Sequence, residues 1–575
     1  MRRLSIIALS LAAATSLWAG QITREQALLL ARQFLIQRGS TLGELTPAET
    51  AQSKARSRGQ VAEERYYVFN NGQNQGYVIV SGDDVTAQIL GYSDTGHFDM
   101  AQMPANMSAW LEGYAAEIAF AQSKGTTASS PRQATRIAVE PLVKSHWDQT
   151  SPYNNSISFK VLLQEVEPYT GCVATAMAQI MNYYRYPDAT ISEIPSYDVT
   201  YSGVKHTFEA VAKGSTIDWA NMLDRYDGSE TTDQQQAVAD LMMYAGRSVK
   251  MAYSNRDGSS AKAYDVRDAL KNYFGYSRGV AYKNRSWYES AEWEDLIYNE
   301  IANKRPVLYA GQTEKEEGHA FVVDGCDANG YFHVNWGWGK LTNNPDGYFL
   351  LTALTPEVQG AGGSSGGYNY GQEAIIGITY GDDFTETVRA TAVNATVNGG
   401  NSQVDLKRDN YGRVSFAMMF YYTNRLANDY DLDLGIAVCN GAGEVMENDH
   451  LVTLTGFHNQ YTSGRGYSTY YFGSGVANGN YKFVPISRQN GSTEWLTCED
   501  ADKYTIYAQV TDDTISLRIG EPFEDPTATG IESVDTSEEG ILGRYDLNGR
   551  RVSEDYRGVV VVKMKNGKNQ IIVKH

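Results

Sequence analysis

The chain has 575 residues, 42% hydrophobic and 20% charged, a balance that excludes a wholly disordered or collagen-like protein. Its 68 acidic against 49 basic residues leave a formal net charge of −19, which repels phosphate backbones and argues against nucleic-acid binding. Four cysteines in this length exclude a disulfide scaffold, so each is read singly, as a reagent or as a small apolar residue.

Met1 to Gly20 has the pattern of a secretory signal: Arg2 and Arg3, an apolar run from Leu4 to Leu17, then the small Ala19. The run falls short of the roughly 20 apolar residues that span a bilayer, and no later segment reaches that length. Export without a membrane span is the expectation. Thr23 and Gln26 form a capping-box pattern, and Ala27, Leu28, Ala31, Leu35 and Ile36 follow at helical spacing up to Gly39. Residues 40–64 read as polar loop. Tyr66 to Phe69 and Tyr77 to Val80 read as two strands around Asn70-Asn71-Gly72. Trp110, Leu111, Tyr114, Ile118 and Phe120 predict a second helix. Gln122 to Ala138 has linker composition, with Arg132 and Arg136 as candidate cutting points.

From Val139 to about Tyr380 the pattern mixes helix and strand. Beyond it, Val404–Leu406, Val414–Tyr422, Leu434–Val438, Tyr481–Ile486 and Tyr504–Val510 are spaced like the strands of a sandwich. Glu521 to Gly540 is acidic and loop-like. Ile541–Val552, Gly558–Met564 and Gln570–Val573 then predict three short strands, with turns at Asn548-Gly549 and Asn566-Gly567.

Chemistry centres on Cys172. It opens a small-residue helix, Val173-Ala174-Thr175-Ala176-Met177-Ala178, that must end before Pro187. A thiol in the first helical turn meets unpaired N–H groups and the positive end of the macrodipole, which favour thiolate and can hold an oxyanion. Gly318-His319-Ala320-Phe321-Val322-Val323 places a histidine at the start of an apolar strand, 147 residues after Cys172. That separation lies within the roughly 130–150 residues between nucleophile and histidine in papain-like proteases. The next strand brings Asn335 and Trp336, residue types that orient an imidazole and shield it from water. His333 alternates with Phe332 and Val334 and reads as structural. The few histidines and the absence of HExxH or paired-cysteine motifs give no support for a metal or other cofactor.

Gly171-Cys172-Val173-Ala174-Thr175-Ala176, Gly318-His319-Ala320-Phe321-Val322 and His333-Val334-Asn335-Trp336-Gly337-Trp338-Gly339 closely resemble the streptopain family of secreted cysteine proteases. His146-Trp147-Asp148-Gln149 and the glycine-rich stretch Gly360 to Gly367 extend the likeness. Gly76 to Asp83 with Ile89 to Ser93 resemble the family's inhibitory propeptide. The resemblance implies an α+β fold: a papain-like protease domain, an N-terminal α/β prodomain and C-terminal all-β domains. The implied boundaries are a signal peptide at 1–20, prodomain and linker at 21–138, protease at 139–380, a β-sandwich-like domain at 384–520 and a sorting-type β domain at 525–575.

The resemblance further implies Cys172 as nucleophile, His319 as general acid and base, and Gln149 as oxyanion donor. Trp336 and Asn335 would stand beside the histidine, and Ser260 and Gly318 against substrate. Lys340 and the insert Leu341 to Asp346 depart from the family pattern and put subsite preference in question. The expected partners are protein and peptide substrates, with a hydrophobic residue preferred just before the one whose carbonyl is attacked, and the prodomain as intramolecular inhibitor. The last strands resemble sorting domains of Bacteroidetes-type secreted proteins, which implies outer-membrane secretion machinery as a partner.

Cys326 reads as buried, while Cys439 and Cys498 lie where an oxidising compartment would let them pair. Two other readings compete: a Cys-His peptidoglycan amidase or transglutaminase-like enzyme, and an adhesin built on a dead protease fold. The Trp147/Gln149 segment and the propeptide motifs disfavour the first. The intact Cys172, His319, Gln149 and Trp336 disfavour the second.

Overall fold

The computed structural model describes residues 20–57, 63–124, 136–161, 164–256, 258–312, 318–339, 343–353, 371–381, 383–459, 464–523, 541–545, 558–564 and 569–574. The signal pattern, the glycine-rich stretch and most of the linker lie outside these residues.

The N-terminal unit opens with helix α1 (Arg24–Arg38). Thr23 and Gln26 form the expected capping box, and Gly39 closes the helix in the left-handed region at φ 72°. The stretch expected to be loop holds strand β1 (Leu45–Pro47) and helix α2 (Ala51–Ser57). Both elements are too short and too polar to show a periodicity. Strands β2 (Tyr66–Asn71), β3 (Tyr77–Ser81) and β4 (Ile89–Ser93) follow, then helix α3 (Ala105–Lys124). Helix α1 packs Ala27, Ala31 and Leu35 on the face holding Phe69, Val78 and Val80. Helix α3 packs Trp110, Leu111, Tyr114 and Ile118 on the face holding Val68, Tyr77 and Ile79. With both faces covered, β3 is buried along its whole length.

Two hairpins, β5 (Phe159–Val161) with β6 (Gln164–Val166) and β7 (Tyr197–Tyr201) with β8 (Val204–Phe208), flank helix α4 (Cys172–Tyr184) in the next unit. Helices α5 (Thr232–Ser248) and α6 (Asp265–Phe274), strand β9 (Ala281–Asn284) and helix α7 (Ser290–Ala302) lead into four strands. These are β10 (Val307–Gln312), β11 (Gly318–Cys326), β12 (Phe332–Asn335) and β13 (Gly347–Phe349), with β14 (Glu373–Ile376) completing the set. Helices α4, α5 and α6 share one core with Ala320 and Val322. Helix α7 shares the other with α3, Phe321 and Trp336.

The two units form one sheet. Its order is β1-β2-β3-β4-β13-β12-β11-β10-β14-β9, and the seam pairs Tyr92 with Tyr348 and Gly91 with Phe349. A side chain at Gly91 would come within 2.7 Å of the Phe349 ring, so the seam closes only over glycine. Beside it the Ser93 hydroxyl donates to the Asp346 carbonyl (2.8 Å), and the Tyr77 hydroxyl donates to the Pro345 carbonyl (2.7 Å). No sequence motif announces this junction, because edge-to-edge pairing uses backbone groups that every residue carries.

Arg136 is not available as a cutting point in this arrangement. Its side chain is 5% exposed and paired with Asp295 (3.0 Å), and its guanidinium lies 4.8 Å from the centre of the Tyr298 ring. Just beyond it, Val139 exchanges backbone hydrogen bonds with Cys326. The start of the second unit is thus anchored, and cleavage after Arg136 would first require undocking it.

The C-terminal region carries β15 (Thr391–Val397), β16 (Gln403–Lys407), β17 (Val414–Thr423), β18 (Tyr430–Asn440), β19 (Val445–Phe457), β20 (Gly464–Phe472), β21 (Gly479–Gln489), β22 (Leu496–Thr497), β23 (Ile506–Val510) and β24 (Thr514–Ile519). They form a three-stranded sheet, β15-β17-β20, and a larger one, β16-β24-β23-β21-β18-β19 with β22 beside β21, packed around one apolar core. Charged residues join this sandwich to the second unit. The buried Arg267 of α6 holds Asp429 (3.0 Å) and Asn459, and Lys271 donates to the Ala427 carbonyl (2.7 Å). Cys439 and Cys498 are free thiols in separate apolar clusters, so the possible disulfide is not formed. The final sheet joins β25 (Ile541–Tyr545), β26 (Gly558–Met564) and β27 (Asn569–Lys574).

Candidate active site

Gly171 precedes the nucleophile candidate at φ 89°, and a side chain there would meet Met251 Sδ at 2.7 Å. It supplies no capping group, so the N–H groups of the first turn of α4 are left for other partners. Those of Cys172 and Val173 favour the charged form of the Cys172 thiol. Across the sheet, the Ala320 N–H donates to the same sulfur at 3.4 Å. Cys172 and the strand of His319 therefore meet, and His319 is the residue directly before the one whose N–H touches the sulfur.

Strand alternation decides what the histidine faces. Ala320 and Val322 lie in the core of α4, Phe321 and Val323 in the core of α3, and His319 shares the parity of the second pair. Opposite it on β10 stands Gly311, which has no side chain to crowd the ring. Helix α3 covers this side of the strand. Asn106 Nδ2 donates to the Trp336 carbonyl (2.7 Å) and the Ala320 carbonyl (3.4 Å). The Trp110 ring packs 5.4 Å from Phe321, 5.9 Å from Tyr309 and 6.3 Å from Trp336, centre to centre.

Burial pushes the Cys172 thiol above its ordinary value, and the neighbouring backbone N–H groups of Ala320, Val173 and Cys172 offset this only in part. His333 is structural, as expected: Nδ1 sits 2.6 Å from Asp324, whose carboxylate is fully buried and also accepts the Val143 N–H (2.7 Å). Burial lowers the His333 pKa, and the Asp324 charge more than compensates, leaving it raised.

Gln149 is buried, and its backbone carbonyl accepts the N–H of Thr170, two residues before Cys172, at 3.1 Å. Asp148 Oδ1 fixes the turn by accepting the N–H groups of Gln149 (2.8 Å) and Thr150 (3.0 Å). Trp336 is fully buried against Phe321 (4.8 Å between ring centres), and its N–H donates to Asp346 Oδ1 (2.9 Å). Asn335 departs from its expected place as an orienter of the imidazole. Its carboxamide is engaged by the Ser145 carbonyl (2.8 Å), by Gln179 and by the Gly337 N–H (3.1 Å), which ties it to the scaffold. Gly318 starts β11 opposite Gln312. Ser260 is exposed and bridged to Ala252. Its neighbour Ser259 carries the grip on the nucleophile segment, donating to the Tyr169 carbonyl at 2.6 Å.

Sequence reasoning missed Ser259, Asn106, Asp346 and Gln179. Only Gln179 leaves a local signal: a carboxamide inside an otherwise apolar, fully buried stretch of α4 needs partners.

Comparison with known proteins now has a structure to attach to. Residues 147–349 match the Peptidase C10 family, and residues 19–118 match the Spi protease inhibitor. Streptopain of Streptococcus pyogenes is 36% identical over 337 residues, covering 56% of this chain and 82% of streptopain. The thiol protease/hemagglutinin PrtT of Porphyromonas gingivalis is 35% identical over 376 residues, 63% of this chain and 42% of PrtT, so the chain spans less than half of that relative. Among solved structures, a prointerpain A fragment from Prevotella intermedia aligns with a TM-score of 0.48 and 29% identity, over 59% of this chain and 99% of the fragment. Active interpain A aligns with a TM-score of 0.36 and 32% identity, over 44% of this chain and all of that one. With more than four-fifths of streptopain matched at this identity, the chain belongs to the Peptidase C10 family of cysteine peptidases and carries an inhibitor-like prodomain.

Proposed function

We propose that the chain is an exported endopeptidase made as a zymogen, with Cys172 as nucleophile, His319 as general acid and base, and Gln149 with first-turn N–H groups as oxyanion donors. The observation that carries the reading is the Ala320 N–H on Cys172 Sγ, with α3 seated on the same strand. Once α3 lifts, His319 is freed to turn toward the sulfur. The thiolate attacks a peptide carbonyl, and His319 protonates the departing amine. A water that His319 then deprotonates hydrolyses the thioester, returning the thiol. A hydrophobic residue just before the one whose carbonyl is attacked is the preferred substrate feature. Residues 1–20 serve as signal, 21–138 as prodomain and linker, and 384–520 accompany the protease. Residues 525–575 direct export through outer-membrane machinery.

Two fluorogenic peptides differing only in Phe or Asp at that penultimate position test the reading. The processed chain is expected to cleave the Phe peptide faster by about tenfold or more, as one well-filled apolar pocket allows, while the uncut chain cleaves neither. Equal rates on both peptides would refute the preference, and equal rates before and after processing would refute the zymogen.

Prodomain docking should depend on pH through Glu117. Its carboxylate is buried in the interface and accepts the Ala353 N–H (2.6 Å) and the Thr352 hydroxyl (3.1 Å). Burial pushes it up to about 7 against these bonds and the opposing charge of Arg285. Undocked, it returns to the ordinary value of about 4.3. The docked state therefore holds the proton more tightly. Its contribution is complete below the ordinary carboxylate range and is lost as pH rises through about 7. Basal hydrolysis by an uncuttable full-length chain, corrected for the pH profile of the processed enzyme, should rise across this window. Glu117→Gln should flatten that rise.

A further inference from the structure

Gln179 stands on α4 two turns beyond Cys172, with Thr175 between them on the same helical face. It is fully buried, and its carboxamide is spent on site segments. Oε1 accepts the Trp147 N–H (3.1 Å), the Ser145 hydroxyl (3.3 Å) and Asn335 Nδ2 (3.3 Å). Nε2 donates to Asn335 Oδ1 (3.1 Å). Asn335 in turn donates to the Ser145 carbonyl (2.8 Å) and accepts the Gly337 N–H (3.1 Å).

Three chain segments meet at this one side chain: the nucleophile helix, the Ser145–Trp147 segment that leads to the oxyanion candidate Gln149, and the turn that carries Trp336. Gly337 shows how closely the last of these is held. It sits at φ 75°, and a side chain there would meet Thr175 Cγ2 at 3.2 Å and Gln179 Nε2 at 3.9 Å. Every bond in the network is buried, where an unmet partner is costly and satisfied partners hold one geometry.

We infer that Gln179 is a positioning residue for the oxyanion site: it fixes the register of Gln149 and Trp336 relative to Cys172 Sγ. This inference rests on the reading of Cys172 and Gln149 given above. A misplacement of about 1 Å in such a constellation can cost on the order of 10²-fold in rate.

The test is a double-mutant cycle on the processed full chain, with kcat and KM for the Phe peptide. Gln179→Met keeps the side-chain length and removes the polar contacts. It is expected to lower kcat about 10- to 100-fold with KM within about twofold. Gln149→Ala is expected to cost about 10²–10³-fold in the wild-type background. In the Gln179→Met background it should cost less than a tenth of that, because the donor is already out of place. Equal costs of Gln149→Ala in both backgrounds would overturn the inference, as would an unchanged kcat for Gln179→Met. Where Gln179→Met fails to fold, Gln179→Glu, which keeps the acceptor for Trp147 and loses the donor to Asn335, enters the same cycle with the same criteria. Absence of any Cys172-dependent hydrolysis by the wild-type processed chain would instead refute the functional reading itself.

Discussion

Trp110→Ala in an uncuttable full-length chain is expected to raise basal peptide hydrolysis by about 10²–10³-fold. The ring is nearly buried and packs on Phe321, Tyr309 and Trp336 of the protease unit, while within its own unit it has one aromatic neighbour, Tyr114. Truncating a buried tryptophan costs about 3–5 kcal/mol, and most of that falls on the docked state. Each 1.4 kcal/mol is about tenfold in the open population, so the open fraction and the activity rise together. Circular dichroism and the melting profile of the remaining sheet check that the chain is otherwise intact. A Trp110→Ala chain as silent as the parent would mean that α3 does not hold the site closed.

The second large effect is expected from His319→Ala in the processed enzyme. A positioned acid or base contributes about 10²–10⁴-fold, and His319 is proposed to serve twice, protonating the amine and activating the water. The fall should be confined to kcat, with KM nearly unchanged, and the bell-shaped pH profile should become a single rise as Cys172 ionises without its partner. A loss below about tenfold, or a profile that keeps both limbs, would assign the proton transfers to another group. His333→Ala is a different case. Its pairing with the buried Asp324 predicts a stability loss from an unpaired carboxylate, with catalysis of the folded fraction retained.

The parts that depend on local pattern were legible in the chain: the α1 capping box, the β2–β3 hairpin, the cysteine at the start of α4 and the histidine at the start of β11. The parts that depend on tertiary context were not. The β4–β13 seam is backbone pairing between segments some 250 residues apart, and its one side-chain requirement, Gly91, looks like any other glycine. Strands β19 and β20 escaped because they expose polar residues and tyrosines on the outer face, which blurs the apolar alternation. The surroundings of the Cys172 thiol depend on tertiary packing in the same way. The helix start was visible in sequence, whereas the packing that buries the sulfur was not. Asn335 was recognised as belonging to the site, but its partner Gln179 lay in what looked like plain helix core.

The most direct test of the account is covalent trapping of the processed chain with a peptidyl electrophile that reacts only with an activated thiol, read by intact and peptide mass spectrometry alongside residual hydrolysis. The account predicts one equivalent on Cys172, none on Cys326, Cys439 or Cys498, and loss of activity in step with labelling. Full labelling of Cys172 with hydrolysis undiminished would contradict it.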